Sequence, residues 1–363
     1  MHKIPVLNGL RGIAILSVIF HHSFFPDILY GKVTGALLDP LLILGSSGWL
    51  GVNMFFLLSG FVLFLPYVNE SEAFNGWRSI RAFYIHRAKR LFPLYYTTTI
   101  IFLIFLTGIQ LNEWAFYKDL IHYVFATFVF SKSTFMPSAN FVLWSLGIEI
   151  WFSVIFPQLV RTIRRFGWRN VMITVFVLSL IVRIVGRLYS PVGADRPALN
   201  FISDSILGRL DEFMIGMLGA HLYIRRKFTS YPTAQMTGGL FLLGSTLVLW
   251  AMWYRGEFPY ALAGLFNLLF DIGFFLIVNS LVVGCRTLSR VISAWPLQLS
   301  GMMCYSLYLW HGQIVTRYRL LPFSFLTYAG CIAFIYTLSW LTYRHIEFGA
   351  TKEWKSLFPS AQN

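Results

Sequence analysis

The chain is short of charge. Only 12% of its 363 residues are Asp, Glu, Lys or Arg, where soluble domains carry about 25%. Acid is scarcer than base, with 15 Asp and Glu against 29 Lys and Arg. Cysteine is nearly missing. Cys285, Cys304 and Cys331 are scattered and form no C-x-x-C pair, which excludes a disulfide framework and a cysteine metal site. No internal repeat, low-complexity tract or polar stretch long enough for a soluble second domain interrupts the pattern. The first apolar segment holds Arg11 and a His pair and has no small-residue cleavage site. It therefore reads as a retained helix and not as a signal peptide.

What is present is apolar. The hydrophobic share is 57% and the mean hydropathy +0.65, above the roughly 45–50% apolar content of soluble domains. The apolar runs recur along the whole length and do not alternate as barrel strands do. They imply an all-α polytopic membrane protein. Thirty-six Phe, 18 Tyr and 12 Trp suit lipid-facing surfaces and interfacial belts. The net charge of +14 fits basic loops on one membrane side better than a nucleic-acid partner.

A spanning helix needs about 20 apolar residues. Candidates are 7–25, 48–66, 91–108, 119–131, 141–160, 171–189, 204–223, 236–254, 260–283, 299–316 and 322–343. The weakest is 119–131, short and holding His122. If it does not cross, eighteen Lys and Arg fall on one side and seven on the other, with Arg11, Arg183, Arg187 and Arg209 inside helices. If it crosses, the bias reverses, against the positive-inside rule. The expectation is a bundle of about ten helices with both termini cytoplasmic and 109–140 a partly re-entrant outer excursion. Residues 67–90 and 161–170 are then cytoplasmic loops.

Ionisable groups at membrane depth mark sites by default. In "RGIAILSVIFHH", Arg11 and His22 are eleven residues apart. At 100° per residue they share one helix face to within about 20°, roughly 16 Å apart along the axis; His21 points about 100° away. Glu149 in "WSLGIEIWF", Arg209, Asp211 and Glu212 in "GRLDEF", and Tyr305, Tyr308 and His311 in "YSLYLWHGQI" are expected in one layer of the outer half. Each alone reads equally as a structural ion pair or as a chemical group. A histidine oriented by Glu149 would be a general base or a nucleophile. Arg87 and Arg90 form R-x-x-R, one turn apart on a helix. Such a fork suits phosphate, although loop charge and anionic lipid explain it too.

"LNGLRGIAILSVIFHH", "GVNMFFLLSGFVLF", "FYIHRAKRLFPLYY", "WSLGIEIWF", "YSLYLWHGQI" and "YRHIEF" occur in the order in which the acyltransferase 3 family has them. The chain resembles that family from residue 7 to about 348. The resemblance implies a ten-helix domain over 1–348, followed by a cytoplasmic tail over 349–363, in the bacterial inner membrane. It implies an O-acyltransferase, most simply an O-acetyltransferase, that uses acetyl-CoA as donor without a metal. The acceptor would be a carbohydrate, such as O-antigen, exopolysaccharide or a lipid-linked sugar.

By the same resemblance, His22 and Glu149 are the expected catalytic residues, and Arg11, Arg87 and Arg90 hold the donor. Arg209, Glu212, Tyr308 and His311 are the candidate acceptor-binding residues. Ser153, where an aromatic is common, and Gly349, where proline often follows, depart from the pattern; neither is expected to touch the core motif. Two rivals stay open. A transporter or flippase would explain midplane charge, but its usual repeated halves are not seen here. A glycosyltransferase using a polyprenyl phosphate sugar would need acidic outer loops, which are scarce.

Overall fold

The computed structural model describes residues 4–24, 40–70, 72–105, 114–189, 199–254, 257–258, 264–321 and 324–347. The expected tail 349–363, with Gly349, lies outside the described residues, as does most of the outer loop 26–40. Among the described residues every regular element is helical. In chain order they are α1 (Pro5–Phe24), α2 (Pro40–Ser47), α3 (Leu50–Phe64), α4 (Trp77–Phe105), α5 (Trp114–Phe125), α6 (Leu143–Phe166) and α7 (Trp168–Tyr189). Then follow α8 (Leu210–Ile224), α9 (Pro232–Tyr254), α10 (Gly264–Val283), α11 (Arg286–Ile292), α12 (Trp295–Met302), α13 (Cys304–Tyr318) and α14 (Phe325–Thr342). A π-turn over Tyr343–Glu347 ends the described chain.

Local chemistry sets several boundaries. Pro5 and Pro232 open α1 and α9, where a missing N–H costs nothing. Ser324 caps α14 by accepting from the Thr327 N–H, and the Thr327 hydroxyl returns the contact to the Ser324 N–H, a reciprocal cap. Gly167, at φ +80°, turns α6 into α7, a conformation that suits glycine.

Five helices, namely α3 with its 3-10 extension, α6, α7, α9 and α10, are long and apolar enough to cross a membrane among the described residues. They divide by burial. α3, α6 and α10 have 61–67% of their span buried, α7 and α9 only 28% and 22%. Exposed side chains such as Phe241, Val248, Ile173 and Ile181 give these outer helices a lipid-facing surface. The chain is a helical, multi-pass membrane protein.

α1 sits in the middle, packed on α3, α12 and α13. α3 lies against α8 and α10, α10 against α9, α13 against α14 and α4, and α6 against α4 and α7. Several of these crossings bring backbone against backbone. A Cβ on Gly301 of α12 would lie 1.7 Å from the carbonyl oxygen of Asn8 in α1, and one on Gly216 of α8 would lie 1.9 Å from that of Leu57 in α3. Small residues at such crossings let helices associate where no hydrophobic effect drives them.

α4 corrects the loop reading of 67–90. The helix starts at Trp77 and carries Arg87, Lys89 and Arg90 within its length. The stretch was read as loop because of its charge, yet those charges ride on a helix of 29 residues, roughly 43 Å long and longer than the hydrocarbon is thick. The preceding turn is held by α6. Arg161 donates to the Phe74 carbonyl, and Arg164 donates to those of Ala73 (2.6 Å) and Glu70. The 119–131 stretch is split between α5 and a short 3-10 turn. At 12 residues, α5 is about 18 Å long, too short to span. Its end carbonyls are satisfied from other helices: Tyr95 donates to Tyr123 O at 2.6 Å, Tyr96 to Val124 O at 2.8 Å and Trp151 to Ala126 O at 2.9 Å. That is what irregular backbone at membrane depth requires.

Candidate functional site

The polar residues expected in one outer layer do not form one hydrogen-bonded cluster. They separate into three groups.

The first surrounds a cavity of about 60 Å³ lined by Arg11, Arg90, Glu149, Cys304, Tyr305 and Tyr308, with Ser59 and Ser145. Here Arg87 donates to Glu149 Oε1 at 3.1 Å and, through Nε, to Ser153 Oγ at 3.1 Å. Ser59 adds a 3.3 Å bond to the same carboxylate oxygen. Tyr305 donates to the Leu91 carbonyl at 2.6 Å, which ties α13 to α4 beside Arg90. Glu347, on the π-turn, accepts from Ser306 at 2.9 Å and lies within electrostatic reach of Arg11 and Arg90. Three guanidiniums thus meet two carboxylates at this end of the cavity. That surplus of positive charge fits the phosphates of an anionic donor.

The second group lies farther along α1 and α13. Nδ1 of His22 is 2.9 Å from Nε2 of His311, and the two rings lie nearly parallel, with centroids 5.1 Å apart and 22° between planes. Phe141 meets His22 edge-on at 5.0 Å. His21 turns away, its Nδ1 bonded to the Gly45 carbonyl at 2.8 Å, as the helical angle predicts. Tyr308 links the two groups. Its hydroxyl is 2.5 Å from Ser145 Oγ and donates to Val142 O at 2.8 Å, while its ring packs 5.4 Å from that of His311.

The third group is a buried ion network between α7, α8, α3 and α10. Arg183 grips Asp211 with two bonds (2.8 and 2.7 Å) and Glu212 with one (3.0 Å). Arg209 pairs with Asp204 at 2.5 Å and Glu212 at 2.7 Å and reaches Asn53 Oδ1 at 3.2 Å. The Asn53 amide donates to Asp271 at 3.2 Å.

Several expectations change. Glu149 does not orient His22: its partners are Arg87 and Ser59, because Glu149 lies one turn of α6 beyond Ser145, and His311 lies one turn of α13 beyond Tyr308 on the other side. The two steps together set Glu149 about 10 Å from the histidine level. Arg209 and Glu212, 2% and 0% exposed, are engaged with protein partners inside the third group and not turned to the cavity. His311 is fully buried and both of its ring nitrogens have protein partners. That removes it from the residues that could offer a nitrogen to a substrate. Tyr308 keeps its place on the cavity wall. Ser153, thought to touch none of the core motif, touches Arg87: a hydroxyl in place of an aromatic ring gives the guanidinium an acceptor.

Sequence reasoning passed over Ser59, Ser145, Asn53, Arg183, Asp271 and Glu347 as members of these groups. Ser59, Ser145 and Glu347 sit inside the quoted motifs, and two others stand out by polarity alone. Asn53 is a polar residue in the middle of the apolar run "GVNMFFLLSGF", and Arg183 is an arginine in the middle of "LSLIVRIVG".

No solved structure matches the chain. Among curated proteins, it is 26% identical over 348 residues to a Staphylococcus aureus (strain COL) protein provisionally named an O-acetyltransferase, covering 87% of this chain and 51% of that protein. It is 23% identical over 335 residues to the peptidoglycan O-acetyltransferase of Listeria monocytogenes, covering 86% and 49%. A protein of Acidianus two-tailed virus, provisionally named an acetyltransferase, is 32% identical over 158 residues, covering 43% and 41%. The chain thus spans about half the length of the bacterial relatives it matches. The family model described as an acyltransferase domain matches residues 4–344, nearly every described residue and all of the three polar groups except Glu347. The chain belongs to the acyltransferase 3 family.

Proposed function

We propose that this chain is an integral membrane O-acyltransferase that moves an acetyl group from acetyl-CoA to a hydroxyl of a carbohydrate. The acceptor class is a surface glycan or a lipid-linked sugar, and the relative named for peptidoglycan belongs to that class. One observation carries the reading. A single cavity joins the arginine cluster to Tyr308, directly beside the His22–His311 pair. Arg11, on the cavity wall, and His22, beyond Tyr308, lie on one face of α1, roughly 16 Å apart. The long, thin arm of a thioester with a phosphate-bearing head is of a length to cover that separation.

The roles follow from charge and position. Arg11, Arg87 and Arg90 bind phosphate, with Glu149, Ser153 and Ser59 holding Arg87 in place. Tyr308 and Ser145 line the path between. His22 takes the proton of the attacking hydroxyl. The bound donor supplies an activated acyl group, so no metal is needed. In this reading ten segments cross the inner membrane: α1, α2 with α3, α4, α6, α7, α8, α9, α10, α12 with α13, and α14. Both termini are cytoplasmic, and α5 folds back on the outer side. The arginine end of the cavity then faces the cytoplasm, where acetyl-CoA is made.

The test is acyl transfer by the purified protein. Acetyl-CoA should be consumed in the presence of a soluble glycan acceptor. Arg87→Ala and Arg90→Ala should each weaken acetyl-CoA binding, with a salt dependence that contacts to phosphate entail. Unchanged affinity in both variants would refute the donor site. Glycan export without acetyl-CoA consumption would favour a transporter.

A further inference from the structure

The hydrogen-bond chain at the histidine end fixes which nitrogen is free to react. Nδ1 of His311 lies 3.1 Å from the carbonyl oxygen of Leu307, one turn back on α13. A carbonyl only accepts, so the proton of this contact is on His311 Nδ1. In a neutral imidazole the other nitrogen is then an acceptor. His311 Nε2 is the atom that faces Nδ1 of His22 at 2.9 Å, so His22 Nδ1 must be the donor. His22 Nε2 is left with its lone pair and no proton.

We propose that His311 is a positioning residue that sets the tautomer of His22 and makes Nε2 its reacting atom. Glu149, the residue that a sequence reader would choose for this task, is tied to Arg87. His21, the other neighbouring imidazole, is engaged by Gly45. The helix backbone supplies the anchor instead: the Leu307 carbonyl holds His311, and His311 holds His22. The in-plane hydrogen bond to His311, with the rings only 22° from parallel, and the edge contact from Phe141 fix the ring plane, so the base is oriented in both rotation and protonation. Such second partners commonly decide which imidazole nitrogen is active.

This inference rests on the acyltransferase reading for its chemical consequence. As the acceptor hydroxyl oxygen bonds the acyl carbonyl carbon, the thioester carbon–sulfur bond breaks. The hydroxyl proton passes to His22 Nε2 and then to the departing thiolate, which leaves as thiol. While His22 is cationic, its Nδ1–H bond to His311 becomes charge-assisted, and such bonds are shorter and stronger than neutral ones. His311 thus acts on the charged state without touching the substrate.

Two measurements test it. Nitrogen-15 NMR of histidine-labelled protein in detergent should show neutral His22 protonated on Nδ1 and bare on Nε2, with His22→Ala used to assign the signal. In transfer assays, His311→Phe keeps a ring of similar size but offers no acceptor. It should lower kcat by about 10²–10⁴-fold, the range for a displaced general base, and leave KM for acetyl-CoA within about threefold of wild type. His311→Gln returns an acceptor oxygen near the Nε2 position and should recover at least about tenfold of that loss. Wild-type His22 protonated on Nε2, undiminished kcat in His311→Phe, or a His311→Gln enzyme no better than His311→Phe would each overturn the assignment. Wild-type protein with the expected tautomer and no acyl transfer would overturn the acyltransferase reading and not the hydrogen-bond chain.

Discussion

Glu149→Gln separates two accounts of the acid that lines the cavity. If the glutamate served His22, its amide would spoil the base and leave donor binding intact. The geometry assigns it to Arg87, with a 3.1 Å contact between side chains only 13% and 22% exposed. A hydrogen bond to a charged group is worth about 1.5–3 kcal/mol, or about a 10- to 150-fold preference for the anchored guanidinium. The substitution keeps the shape and one acceptor, so the lower end applies. Acetyl-CoA affinity should fall roughly tenfold, and kcat at saturating donor should change little. Titration calorimetry on wild type, Glu149→Gln, Arg87→Ala and the double variant completes a cycle. With Glu149 acting through Arg87, the second substitution adds almost nothing to the first. Additive losses of affinity would refute this, as would a Glu149→Gln enzyme with normal donor binding and a collapsed kcat.

Three further outcomes are expected. His22→Ala should abolish transfer in the purified enzyme and keep acetyl-CoA binding, while His21→Ala, which loses the contact to Gly45 and an edge contact with the His22 ring, should retain most of its turnover; the reverse order would displace the site. Arg183→Met should destabilise the protein by about 3–5 kcal/mol, because it strands Asp211 and Glu212 in a buried site, and a thermal midpoint in detergent unchanged from wild type would refute that. Labelling of Ser133→Cys should come from outside the cell and that of Asn170→Cys from the cytoplasm, and the opposite pattern would overturn the ten-span arrangement.

Helix positions and faces were legible in the sequence, since they follow from apolar run length and a 100° step. Arg11, His22 and His21 needed nothing more. Partners between helices were not legible. The depth of Glu149 depends on where α6 starts relative to α4 and α13, and an error of one turn moves it from the histidines to the arginines. Arg87 and Arg90 were legible as one helical turn, but the length of their helix was not, because a charged first half looks like a loop to a hydropathy count. Arg209 and Glu212 looked like a substrate site because their counter-ions, Arg183 and Asp204, lie outside "GRLDEF", and no spacing rule connects α7 to α8.

The glycine contact between α1 and α12 bears on how the molecule can move. Gly301 rests on the Asn8 carbonyl and Gly12 on that of Leu297, with no side chain between to act as a bearing. A slide of one turn along α1 would drive a larger residue into the partner backbone. Arg11 and His22 both belong to α1, so they keep a constant separation and a constant height against α12 and α13. Rocking the bundle open and shut cannot carry an acyl group from one to the other. In the proposed reaction the frame stays still, and the flexible arm of the donor covers the distance.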